Sequence, residues 1–175
     1  MKKYLIITVL LGLLAACGSA ATPTNVPTTP PQASAPTAMP STNAPVDYSD
    51  LLITLQRDPC FGFCPVYKLS IRGDGTTTFE GEQHVAITGT QTGTISQADI
   101  ASLVAEFERT EYFALNDDYM NYEMTDLPYT TTSITYNGKS KTVRHYHGDS
   151  TAPEKLTNLE NTIDQIANSQ QWIGK

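Results

Sequence analysis

Ten residues, Asp58 to Tyr67 (DPCFGFCPVY), restrict this chain more than any other stretch. They contain two cysteines four positions apart, two prolines, one glycine and three aromatic residues. A flat strand would hold the Cα atoms of Cys60 and Cys64 roughly 13 Å apart at about 3.3 Å per residue, whereas a disulfide tolerates no more than about 7 Å. If the two are joined, the chain folds back within Phe61-Gly62-Phe63, and Gly62 is the residue that permits it. So short a loop contributes only about 2 kcal/mol in the chain-entropy model. Its larger effect is to fix the angle at which the chain enters the strand that follows.

Pairing of the cysteines depends on the compartment, and the N-terminus speaks to that. Lys2 and Lys3 precede an apolar run, Leu5 to Leu14, too short to span a bilayer as a stable helix. Small residues Ala15 and Ala16 follow, then Cys17. Leu14-Ala15-Ala16-Cys17 resembles the lipobox of bacterial lipoproteins. That resemblance implies cleavage after residue 16, a diacylglyceryl group on Cys17, and a membrane anchor that does not span. The alternative is an ordinary secretory signal with an incidental cysteine; the ordered succession of charge, apolar run, small residues and cysteine favours the lipoprotein. Each buried CH₂ contributes about 0.8 kcal/mol, so two or three acyl chains hold such a protein stably. Gly18 stands where inner-membrane retention is associated with aspartate, so in a cell with two membranes the resemblance favours the outer one. The expected location is extracytoplasmic, on the cell membrane or outer membrane. With Cys17 lipidated, Cys60 and Cys64 are the only thiols left in an oxidising compartment, and a disulfide between them is expected.

Loss of Lys2 and Lys3 would take the 11 basic residues to nine against 18 acidic ones, moving the net charge from −7 to −9. So acidic a chain gains nothing electrostatically from a phosphate backbone, which argues against nucleic-acid binding. Residues 17–46 comprise the lipidated cysteine and an uncharged Pro/Thr/Ala-rich linker, which buries too little apolar surface to offset the entropy of ordering. It is expected to act as a disordered stalk. Glycosylation of its threonines would leave no trace in the sequence.

The remaining residues, 47–175, are expected to form one α+β domain. Leu51, Ile53 and Leu55 alternate with polar or outward residues, as do Tyr67, Leu69 and Ile71, giving two strands. A turn at Gly73-Asp74-Gly75 leads to a third strand, Thr76 to Glu80, and a fourth around Val85 to Thr88. Ser96 and Asp99 make a capping box for a helix whose stripe is Ile100, Leu103, Val104 and Phe107. The longest loop should run from Asn116 to Asp126. Asn137-Gly138 signals a hairpin between Thr130–Tyr136 and Lys139–His147 with Tyr136 opposite Lys139. A second helix opens with Pro153 in its first turn and carries Leu156, Leu159, Ile163 and Ile166, with Trp172 and Ile173 closing over its end. The expected architecture is a single mostly antiparallel sheet of about five to six strands with two helices packed on one face.

Candidates for chemistry are few. The spacing CxxxC ahead of a strand lacks the helix N-terminus that a thioredoxin-type thiolate needs. CxxxC with distant histidines is also similar to copper-delivery proteins, and His145 and His147 lie on one strand face where both could aim at one point, with His84 elsewhere. Packing at a sheet edge is the plainer explanation. Asp117, Asp118, Glu123 and Asp126 cluster as Ca²⁺ ligands can, but without the D-x-D-x-D-G order. Tyr119 and Tyr122 sit among them in a half of the domain that holds six tyrosines and Phe113, a composition suited to sugars or peptides and equally to core packing. No nucleophile elbow, zincin helix or phosphate loop is present, so no catalytic residue and no cofactor is assigned.

PCFGFCPVY, with IRGDG and FEG after it and HYHG at His145 to Gly148, resembles an uncharacterised family of bacterial envelope domains carrying a PCFGxCPxY turn. The likeness extends over about Leu51 to Trp172 and implies no activity or cofactor. The function expected is therefore that of a lipid-anchored envelope protein acting as a non-enzymatic binding or structural module, monomeric by default, with an envelope protein or glycan as partner. Metal handling through His145 and His147, and sugar or peptide binding through the tyrosine-rich loop, are the alternatives.

Overall fold

The computed structural model describes residues 46–122 and 124–174. The signal segment, Cys17, the linker to residue 45 and Glu123 lie outside them, and so do the expectations that concern them. Seven strands form one sheet: β1 (Leu52–Arg57), β2 (Val66–Arg72), β3 (Thr76–Gln83), β4 (Gly89–Thr94), β5 (Asp118–Tyr119), β6 (Tyr129–Tyr136) and β7 (Lys139–Tyr146). Their order across the sheet is β4-β3-β2-β1-β6-β7-β5. Three helices accompany them: α1 (Gln97–Arg109), α2 (Glu154–Ile166) and the single turn α3 (Gln170–Ile173).

The alternation read from the sequence decides which way each strand faces. Ile53, Leu55, Tyr67, Leu69, Ile71, Phe79, Ile134 and Val143 are buried and make one core with Ile100, Leu103, Val104 and Phe107 of α1 and Leu156, Leu159 and Ile163 of α2. The intervening residues, among them Thr54, Lys68, Ser70, Thr131 and Thr142, give the opposite face its hydroxyls and charges, as an antiparallel sheet with one wet side requires. Thr54 and Ser133 share a 2.6 Å cross-strand hydrogen bond there.

Local signals act where they were expected. Ser96 caps α1, accepting from the Asp99 N–H while the Asp99 carboxylate accepts from the Ser96 N–H. Asn137 and Gly138 both have positive φ, 50° and 69°, and the hairpin sets Tyr136 against Lys139 and Thr132 against Val143.

Four expectations need correction. Among the described residues the sheet has seven strands and is mixed, since β5 pairs with β7 in parallel, and three helices stand where two were expected. The fourth strand is Gly89–Thr94, not Val85–Thr88. Residues 84–87 bend instead, because the N–H groups of Ala86 and Ile87 donate to the carbonyls of Ile173 and Trp172 in α3. The expected loop contains β5, and its Tyr119 is buried in the core. Pro153 precedes the first turn of α2 as its N-cap, with extended backbone.

Candidate functional site

Cys60 and Cys64 are joined, with Cα atoms 5.7 Å apart, and the fold-back is closed by the Gly62 N–H donating to the Cys60 carbonyl at 2.9 Å. The bond locks a hairpin-like tip between β1 and β2. Both Phe61 and Phe63 point outward from it and are 88% exposed. Apolar rings that size are ordinarily covered, and two on one rigid tip call for a reason.

The base of the tip is held by charge. Arg57, the last residue of β1, and Tyr67, near the start of β2, both reach Asp164 of α2. The guanidinium donates to Asp164 Oδ2 from Nε at 3.0 Å and from Nη2 at 2.9 Å, and the Tyr67 hydroxyl donates to the same carboxylate at 2.7 Å. Ser169 adds a fourth donor at 2.7 Å to Oδ1. Burial works most strongly against the Arg57 charge, but Asp164, Tyr67 and Glu160 together outweigh it and hold the guanidinium more firmly protonated than usual. Burial, then the neighbouring Asp164 carboxylate, push the Tyr67 hydroxyl well above the ordinary phenol range, so it stays a donor. A cleft of about 450 Å³ opens beside this clamp, lined by Arg57, Pro65, Tyr67, Asn161 and Asp164 among others.

The tip is flanked on both sides. His84 packs edge-on against Phe63, centroids 5.3 Å apart, and its Nδ1 bonds the Cys64 carbonyl at 3.1 Å. On the other side the Phe61 N–H donates to the Asp126 carbonyl at 3.1 Å. There Phe61, Tyr122, Leu127, Tyr129 and Tyr146 line a shallow hollow of about 240 Å³. Tyr122 and Met124 add further exposed apolar surface on the same loop. The disulfide tip and the tyrosine-bearing loop therefore form one aromatic rim. It lies at the end of β1 opposite to the end at which the chain enters the sheet.

The remaining candidates separate. Asp117 pairs with Lys141 and Asp118 sits exposed in β5 opposite Arg144, so neither of these two joins the histidines. His145 and His147 do converge, their rings 4.5 Å apart, but on a partner the sequence reading did not single out, Glu160 of α2. Burial keeps the His147 imidazole below its usual pKa, with Glu160 pulling in the opposite direction. The joined cysteines offer no thiolate, which leaves a copper reading only the histidines.

Asp149 was also missed. Its carboxylate accepts from the Thr151 hydroxyl at 2.6 Å, the Thr151 N–H at 2.8 Å and the Asn121 N–H at 2.8 Å, tying the loop of the rim to the segment before α2. These donors hold it down at about 2. A depressed carboxylate adds stability above its unfolded value of about 3.9 and loses it as pH falls through the folded value. An Asp149→Asn variant should therefore unfold at lower urea than the parent at pH 6. That gap should close between about pH 4 and pH 2, as followed by circular dichroism; a gap that persists unchanged would remove Asp149 from this role.

A family model described as Domain of unknown function (DUF6438) matches residues 51–167. No curated protein matches the chain. The chain belongs to the DUF6438 family.

Proposed function

We propose that this DUF6438 member is a non-enzymatic binding module displayed at the cell envelope on a lipid attached to Cys17, and that it engages a protein partner through the aromatic rim. The observation that carries the reading is the pair Phe61 and Phe63, each 88% exposed on a cross-linked tip. Aromatic residues and Met are what interface centres are rich in, and a tip already rigid loses little entropy on docking. Phe and Met, which bring no hydroxyl, suit an apolar protein pocket better than a glycan. The clamp of Arg57 and Tyr67 on Asp164 fixes the tip from below, so the rim is preorganised rather than induced.

The mature, lipid-bearing chain, used as bait in envelope extracts, should retain a discrete partner. The double substitution Phe61→Ser, Phe63→Ser should abolish that retention while leaving the thermal midpoint within about 2 °C, because both side chains are outside the core. Equal retention by the variant would refute the rim, and capture instead by purified envelope glycan would replace the protein partner with a sugar.

The anchor has its own test. Among the described residues no helix is long and apolar enough to cross a membrane. The parent chain should incorporate labelled palmitate in growing cells and Cys17→Ser should not. Equal labelling of the variant would exclude the lipid on Cys17.

A further inference from the structure

One turn before Asp164, the same inward face of α2 carries a different chemistry. Glu160 is fully buried there, 0% exposed. Asp164 is neutralised by Arg57, but no lysine or arginine pairs with Glu160 among the described residues. Its Oε1 takes a 2.9 Å hydrogen bond with His145 Nδ1, while Oε2 has no hydrogen-bonding partner and lies 3.6 Å from His147 Nε2. A buried carboxylate oxygen left without a donor is expensive, and one with two imidazole nitrogens beside it is shaped for a cation.

We propose that His145, His147 and Glu160 form a site for one borderline divalent transition-metal ion of the Zn²⁺ class. One ligand atom from each of the three lies within 4.8 Å of the others. Tetrahedral Zn²⁺, with bonds of about 2.0–2.2 Å, would draw such atoms to roughly 3.4 Å. Two imidazoles and one carboxylate select against Ca²⁺ and Mg²⁺, which take oxygen ligands, and the absence of a thiolate from the three selects against Cu⁺. His147 is the door, since its side chain is 22% exposed while His145 and Glu160 are enclosed. Without an ion the Thr130 hydroxyl sits 2.7 Å from His147 Nε2, so metal binding must displace that contact, leaving the hydroxyl to Arg57 Nη1 at 3.4 Å. Three protein ligands leave a fourth position for water or for an incoming group. The site stands on geometry separate from the aromatic rim and holds whether or not the rim binds a protein.

The test titrates ZnCl₂ into the mature full-length chain, stripped with chelator and dialysed, by isothermal calorimetry. One ion per chain is expected, with affinity at least about tenfold weaker in both Glu160→Gln and His147→Ala. Asp118→Asn, in the acidic strand, should bind as the parent does. If Glu160→Gln fails to fold, His147→Ala decides, because that ring is only partly enclosed. Imidazole ¹⁵N resonances of His145 and His147, and not of His84, should move on adding Zn²⁺. No saturable binding, binding undiminished in His147→Ala, or binding lost in Asp118→Asn would overturn the proposal.

Discussion

Asp164→Ala is expected to destabilise the domain by about 3 kcal/mol, the low end for breaking a buried ion pair, because the Arg57 side chain left behind is 20% exposed. The carboxylate serves more than one group. Arg57, Tyr67 and Ser169 all donate to it, and each would be left without that acceptor. The loss should be read from urea unfolding of the parent and variant chains, with the m-value unchanged if the unfolded states match. A paired change, Arg57→Met with Asp164→Leu, should recover only part of the loss, because the stranded guanidinium is gone while the buried Tyr67 and Ser169 hydroxyls still lack that acceptor. A single-variant loss below about 1 kcal/mol would mean that the pair behaves as a solvated surface bridge. The same variant carries a functional consequence. Without Asp164 the two strand ends that flank the disulfide tip lose their common support, so the rim should be retained covalently but presented loosely.

Phe79→Ala should cost at least as much, roughly 3–5 kcal/mol, and lower the thermal midpoint by about 10–20 °C. Phe79 is fully buried on β3, its ring 5.1 Å from Tyr67 and 5.3 Å from Trp172. It therefore joins the clamp at the base of the tip to α3, whose carbonyls hold the turn between β3 and β4. Removing it leaves a cavity bounded by two rings that cannot close independently. Trp172 fluorescence should shift to the red in the folded variant as water reaches the indole. A loss under about 1.5 kcal/mol with unshifted emission would show that the site collapses freely and that the three rings do not act as a unit.

The elements legible in the sequence were those whose period and punctuation agree. The alternation holds from Ile53 to Gln56 in β1 and from Tyr67 to Arg72 in β2, α1 has both its stripe and its box, and Asn137-Gly138 sets the register of β6 and β7. The strand β4, GTQTGT, has no apolar residue to alternate, because it is an exposed edge that pairs only with β3; backbone pairing makes it a strand. With only two residues and a parallel partner, β5 gives a periodicity search nothing to find.

The charged cluster was hidden for another reason. Arg57 continues the inward series Leu51, Ile53, Leu55, and His145 continues the series from Val143, so both occupy core-facing positions. Glu160 and Asp164 fall on the same helical face as Leu156, Leu159 and Ile163, completing an i, i+3, i+4, i+7, i+8 pattern. Ile166, chosen for being apolar, is only half buried. Charge at an inward position was the available signal, and it was masked by treating polar residues as the outer face. The rim was hidden because exposure is a tertiary property: Phe61 and Phe63 look like core residues until the disulfide turns them out.

The most direct test of the rim places a photo-reactive phenylalanine analogue at position 63 of the full-length chain in living cells. Illumination should give one discrete cross-linked species at position 63, and none when the analogue stands at position 142 on the hydroxyl-rich face of the sheet. Cross-linking of equal yield and pattern from both positions, or none from position 63, would contradict the claim that the disulfide tip is a partner-binding surface.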